Sequence, residues 1–208
     1  GVVRSRTVLR NGVEYTADRF VVCAGAINTP ALLLRSGIDT PGVGEGLQDH
    51  PACSIALRLV PGLADTSSTM ISSTIDSRQI QILPLERLPN APGYGALMVG
   101  LMDVASTGRV TLPDPDGPPL VELGQLSEPS DVDAMAAGVL DAFDVLGREP
   151  MQAIVRSAHL DEHGTPIAEM AADPERLRTW VEHNASGFYH VSSTCRDGIV
   201  TDPYGRVL

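Results

Sequence analysis

Residues 187–198, GFYHVSSTCRDG, put a histidine, His190, just ahead of hydroxyl, thiol and guanidinium side chains. Histidine is the side chain whose unperturbed pKa lies near neutrality, so it suits a base that must take a proton at physiological pH. The residue types alone leave a second reading open, a core histidine hydrogen-bonded to backbone. Asp49 and His50 form the next candidate pair; they could stand close to a cofactor, or the Asp could cap and the His pack. His159 and His163 are four residues apart, but Gly164 follows at once and the pattern is not H-E-x-x-H. Exposed loop histidines are expected there, and no metal site. His183 is expected at a helix end, where a cation interacts well with the last carbonyls. The sequence has no G-x-S-x-G elbow, which leaves serine hydrolase chemistry unsupported.

The elements that would position such groups begin at residues 20–51, FVVCAGAINTPALLLRSGIDTPGVGEGLQDHP. Residues 20–23 are a short apolar run that reads as a buried strand, with Cys23 as a core thiol. The small residues Ala24, Gly25 and Ala26 follow and allow close backbone approach by a ligand or a neighbouring element. Thr29 is expected as an N-cap, Pro30 as the first helical residue and Gly37 as the left-handed residue that closes the helix. A strand, a small-residue elbow and a helix N-terminus suit a phosphate or another electron-rich ligand, because backbone N–H groups point there. Many α/β proteins have such elbows with nothing bound. Gly42, Gly44 and Gly46 follow no strand and open no helix, so they are not a phosphate fingerprint.

The wording of these blocks adds an identification. CAGAINTPALLLRSGI followed by PGVGEGLQDHP resembles the glucose–methanol–choline (GMC) family of FAD-dependent oxidoreductases, with its AGA-x-x-(S/T)-P-x-LL-x-x-SG and PGVG-x-NLQDHP blocks. YHVSSTCRDG is similar to the family's YH-x-x-G-T-C-(R/K)-M-G block, and STGRVTLPDPDGPPLVELGQLSEPSDVDAM resembles its substrate-domain strand, turn and helix start. The resemblance implies FAD as cofactor and a small-molecule alcohol as substrate. It implies that His190 is the catalytic base, taking the hydroxyl proton as hydride leaves the adjacent carbon for the flavin. It sets Ala24, Gly25, Ala26, Asp49 and His50 close to the cofactor. A second His or Asn partner is expected further along than Leu208. The sequence departs from the pattern at Gly46 (for Asn), Ser193 (for Gly) and Asp197 (for Met), and residues 36–42 run together two blocks that relatives separate.

Composition is consistent with a soluble globular protein: 43% apolar and 20% charged residues. A net charge of −11 argues against nucleic acid or an anionic membrane as partner, since both need a basic face. No apolar run reaches the roughly 18 residues of a membrane span, and no signal peptide pattern is present. Three cysteines without metal-type spacing are expected as reduced thiols, which places the protein in the cytoplasm. The chain starts at Gly1 in strand-like sequence and ends without a tail at Leu208, so both ends read as cut from something larger. No G-x-G-x-x-G occurs, which implies that an N-terminal FAD-binding portion is the missing partner.

Further along, residues 2–9 and 14–16 around Asn11-Gly12 read as a hairpin. Strands are expected around residues 55–59, 79–83, 96–104, 107–112 and 120–123, with loops at 61–77 and 84–95. Val132, Met135, Ala136, Val139, Phe143 and Leu146 recur at helical spacing behind a capping-box-like Ser130 and Asp133. A shorter helix is expected over 150–157 and a third after Asp173-Pro174, with Leu177, Trp180 and Val181 on its core face. Residues 61–92 and 158–173, where the resemblance is weakest, are the loops that would set substrate choice.

The expected fold class is α+β, an α/β FAD-domain remnant plus an antiparallel sheet flanked by helices. The expected division is residues 1–51 as the end of an FAD-binding domain, 52–186 as a substrate-binding domain and 187–208 as a truncated return segment. The function expected is that of a partial GMC-type alcohol oxidoreductase. The alternatives are a non-catalytic fragment unable to bind FAD alone, or a relative of flavin-dependent hydroxynitrile lyases.

Overall fold

A computed structural model describes residues 6–8, 14–62, 75–77, 79–85, 91–160 and 164–208. The chain opens with β1 (Arg6–Val8) and β2 (Glu14–Thr16), paired antiparallel with Thr7 opposite Tyr15; the Asn11-Gly12 turn lies outside the described residues. The strand expected over residues 20–23 does not form: the segment is extended without a ladder partner, Val21 is 87% exposed and Cys23 is exposed rather than core. An apolar run becomes a strand only against a neighbour that takes its N–H and C=O groups, and none of the described elements does so.

Helix α1 (Gly25–Arg35) follows. It starts earlier than expected, with Ala24 at the N-cap, so Thr29 and Pro30 lie inside it. Thr29 Oγ1 still accepts a bond from Ala24 N at 3.2 Å. The C-terminus is as expected. Gly37 adopts φ 72°, its N–H bonds to Leu34 O and that of Ile38 to Leu33 O, so two otherwise orphaned carbonyls are satisfied. The elements β3 (Glu45–Leu47), β4 (Pro51–Leu59), β5 (Ile75–Ser77), β6 (Ile80–Leu85), β7 (Tyr94–Leu101), β8 (Gly108–Thr111) and β9 (Leu120–Glu122) then succeed one another. The last third holds α2 (Pro129–Leu146), α3 (Glu149–Gln152), β10 (Val155–His159), α4 (Ile167–Ala171), α5 (Pro174–Asn184) and β11 (Ser186–Gly187).

The chain divides into two compact units. The larger comprises residues 50–106 and 125–189. Its antiparallel sheet runs β10-β4-β7-β6-β5, with β11 also paired to β4. On β4, Cys53, Ile55 and Leu57 are buried while Ser54, Ala56 and Arg58 face solvent, the alternation of a sheet covered on one side. The cover is α2, through Val132, Met135, Val139 and Ala142, and α5, through Leu177, Trp180 and Val181. Gly138 lets α2 lie close, since a Cβ there would meet Ile80 side-chain atoms at 2.7–2.9 Å. Trp180 is core, with its indole N–H donating to Leu160 O at 3.1 Å.

Three local expectations change here. At the start of α2 the N-cap is Glu128 and no side chain caps it; the Asp131 carboxylate accepts instead from the Ala105 and Ser106 amides. The helix expected over 150–157 is only the single turn α3, because β10 finds an antiparallel partner in β4 (Ala158 opposite Leu57). That ladder outweighs a weak helix preference. Helix α4 forms within a segment expected as a loop. By contrast Asp173 caps α5 as read, accepting from Arg176 N at 3.1 Å.

The smaller unit holds residues 1–49, 107–124 and 190–208. Its sheet is β3-β8-β9, and its core is built on Leu33, Val43 and Val200 with Leu34, Ile38, Cys195 and Val207 around them. Arg35, in the last turn of α1, donates to Pro115 O at 2.7 Å and Gly117 O at 2.8 Å, which fixes the Asp114–Gly117 turn. Among the described residues no helix is long and apolar enough to cross a membrane.

Candidate active site

His190 is held by its backbone. In the smaller unit, Asp49 is 5% exposed and its Oδ1 accepts the His190 N–H at 2.8 Å. Two residues on, Gln48 and Ser192 form an isolated antiparallel bridge, Ser192 N to Gln48 O at 2.9 Å and Gln48 N to Ser192 O at 3.2 Å. Gly44 N then bonds to Thr194 O at 2.8 Å. The two strips run antiparallel, so the turn that carries His190 is anchored at alternate residues while His190 itself is an exposed residue.

Backbone strain flanks the histidine. Tyr189 has φ 64° and Ser193 φ 76°, both in the left-handed region that costs an L side chain about 1–2 kcal/mol. Ser193 stands where the family pattern has Gly, and it adopts a left-handed φ that glycine takes at little cost. Its hydroxyl donates to Gln48 Oε1 at 3.2 Å, one of the contacts that hold it there. Gly46, where Asn is usual, also takes a left-handed φ, 74°, which Asn tolerates.

The elbow residues Ala24, Gly25 and Ala26 lie in the same unit. Gly25 has φ 77° and a Cβ built on it would meet nothing within 4 Å, so the backbone there is open to approach. The first turn of α1 carries no acidic residue and no side-chain cap. The Thr194 hydroxyl donates to Ala26 O at 2.6 Å and so links the elbow to the His190 segment. Of the residues singled out from sequence, the structure thus brings together His190, Asp49 and Ala26. His50 belongs to the larger unit, where its Nδ1 lies 3.1 Å from Leu101 O and its carbonyl accepts from Phe188 N.

Other candidates stand apart from this cluster. His159 Nε2 is 2.8 Å from Ser157 Oγ on β10, while His163 lies outside the described residues. His183 Nδ1 is 2.7 Å from Thr179 O in the last turns of α5. No group of three or more His, Cys, Asp or Glu that could hold a metal occurs among the described residues. Burial raises the pKa of Cys195, partly offset by its bond with Thr194, so a thiolate nucleophile is disfavoured there. Sequence reasoning missed Thr194 and Gln48. The signal for Thr194 was present in Pro30, whose missing N–H predicts a carbonyl in need of another donor.

Comparison with known proteins identifies the family. The GMC oxidoreductase family matches through two models, over residues 2–52 and over residues 104–208. An uncharacterised GMC-type oxidoreductase of Rhodococcus erythropolis is 26% identical over 216 residues, covering 92% of this chain and 41% of that protein. The oxygen-dependent choline dehydrogenase of Paraburkholderia phytofirmans is 28% identical over 257 residues, covering 95% and 45%. Pyridoxine 4-oxidase from Mesorbium loti superposes with a TM-score of 0.80 at 21% identity, over 97% of this chain and 46% of that one. Formate oxidase from Aspergillus oryzae superposes with a TM-score of 0.78 at 19% identity, over 97% and 50%. The chain spans about half the length of the relatives it matches. With two family models covering its beginning and its second half, the chain belongs to the GMC oxidoreductases, the family whose cofactor is FAD.

Proposed function

We propose that this chain forms the later part of a GMC-type flavoprotein that oxidises a small alcohol, with His190 as the base. The observation that carries the reading is the clamp on His190. A buried carboxylate and a two-bond bridge fix its backbone, and the residue is exposed at a strained turn. A base must be held at a defined distance from the hydroxyl it deprotonates, and strain of this kind concentrates at functional sites. His190 takes the hydroxyl proton as the adjacent C–H bond gives up its hydride.

FAD, when bound, supplies the hydride acceptor. The elbow fits one wall of such a site. Its side chains are small, Gly25 leaves open space, and the N-terminal turn of an 11-residue helix has no acidic group to repel an anion. Ala24, Gly25 and Ala26 would hold the cofactor there. Asp49 serves it indirectly by holding His190, and His50 stands next in the chain. Residues 1–51 are read as the end of the FAD-binding domain, 52–186 as the substrate-binding domain and 187–208 as the return segment that brings the base. A cytoplasmic location belongs to the same proposal, on three cysteines present as free thiols.

Anaerobic mixing of the FAD-loaded, full-length enzyme with a panel of primary and secondary alcohols tests the reaction class. Bleaching of the ~450 nm flavin band is expected with at least one of them; cyanohydrin cleavage without any bleaching would instead establish the lyase alternative. The fragment alternative has an observation of its own, since no G-x-G-x-x-G occurs in these 208 residues. The chain by itself is accordingly expected to purify without colour.

A further inference from the structure

Pro30 is the sixth residue of the 11-residue helix α1 and has no N–H to donate. The carbonyl of Ala26, four residues back, therefore lacks the partner that an α-helix would provide. Thr194 Oγ1 takes that place at 2.6 Å. Thr194 is 2% exposed, and its own carbonyl accepts from Gly44 N at 2.8 Å. No side chain fits at Gly44. The residue has φ 85°, a Cβ there would come within 2.1 Å of Val110 O, and its carbonyl accepts from Val110 N at 2.8 Å. Thr194 thus ties three elements into one block: α1 behind the elbow, the turn before β3, and the segment that begins at His190.

We propose that Thr194 is a positioning residue for His190. Its hydroxyl fixes the segment 190–194 to the helix that carries the Ala24–Ala26 elbow, and so sets where the base stands relative to that elbow. The Asp49 and Gln48 contacts hold the segment against the residues that follow β3; the hydroxyl of Thr194 holds it against α1. The proposal rests on the reading of His190 as the base. It adds that the helix-interior proline and the threonine work as a pair, the proline freeing the carbonyl that the threonine grips.

The pair can be taken apart with four variants of this chain: Thr194→Val, Thr194→Ser, Pro30→Ala, and Thr194→Val combined with Pro30→Ala. Thr194→Val keeps the shape and removes the donor. It is expected to lower the thermal midpoint by about 2–8 °C, to speed hydrogen exchange of the His190 amide by roughly ten-fold or more, and to shift the His190 ring signals in NMR spectra. Thr194→Ser retains the donor and is expected to restore all three. In the double variant the backbone N–H regained at position 30 can bond to Ala26 O, so the thermal midpoint is expected to recover. The His190 exchange and ring signals are expected to stay perturbed, because the link between the segments is still missing. Should Thr194→Val fail to fold alone, the double variant carries the same test.

The proposal is overturned if the His190 amide and ring are unchanged in Thr194→Val, or if adding Pro30→Ala restores them together with the midpoint. Either result would leave Thr194 with a structural role only. Failure of the base assignment is distinguishable. It would appear as retained turnover in a His190→Ala variant of the FAD-loaded enzyme, and would leave the exchange result standing.

Discussion

Replacing Asp49 by Ala removes the contact on which the candidate site depends. The carboxylate is 5% exposed and accepts the His190 amide at 2.8 Å. A hydrogen bond to a charged group contributes about 1.5–3 kcal/mol, and the amide left behind carries a further desolvation cost. The two together amount to about 2–4 kcal/mol of local stability. Converted at about 1.4 kcal/mol per tenfold, that is a roughly 30- to 1,000-fold rise in the opening equilibrium at His190. Native-state hydrogen exchange followed by NMR reads this directly, with the amide of Met135, in the core of the larger unit, as the internal control. Asp49→Asn keeps an oxygen acceptor and should lose only the charge-assisted part, giving a rise several times smaller. If His190 exchanges within about threefold of the wild-type rate in Asp49→Ala, the carboxylate does not clamp the base and the reasoning is refuted.

Ser193→Gly should stabilise the protein by about 0.5–1 kcal/mol, because it relieves a serine at φ 76° and gives up two long hydroxyl contacts, 3.2 Å to Gln48 Oε1 and 3.2 Å to Ser192 Oγ; a loss of stability in urea would show that the hydroxyl matters more than the strain. Burial pushes the Cys53 thiol from 9.0 up to about 12. The folded state therefore keeps a proton that the unfolded chain loses. The associated stability is intact below pH 9 and declines as pH rises towards 12, by up to about 1.4 kcal/mol per unit. Cys53→Val should flatten that slope, and an unchanged slope would refute the cause. At pH 8 a thiol reagent should modify exposed Cys23 first and Cys53 only on unfolding; rapid labelling of Cys53 would contradict its burial.

What could be read in the sequence depended on how local its cause was. Asp173 caps α5 and Gly37 closes α1 because both act within one turn of chain. The face of α2 follows from spacing alone, and so does the alternating strand β4. Residues 20–23 failed because a strand requires a partner that periodicity cannot supply, and β10 replaced an expected helix because β4 lay ready to pair with it. The capping box read at Ser130 and Asp133 did not form: the helix starts earlier, with Glu128 at its N-cap, and Asp131 accepts two amides about 25 residues distant in sequence. In the site, His190 was legible from its flanking residues. Its grip by Asp49, 141 positions earlier, was not, since only the folded chain brings those two segments side by side.

The central claim is that His190 is the base of an alcohol oxidation. Its most direct test is the rate of flavin bleaching after anaerobic mixing with a substrate alcohol, compared between the FAD-loaded enzyme and its His190→Ala variant. Loss of a general base predicts a rate about 10²–10⁴-fold lower, with the bound-flavin spectrum before mixing unchanged. Bleaching at the wild-type rate in the variant would show that His190 is not the base.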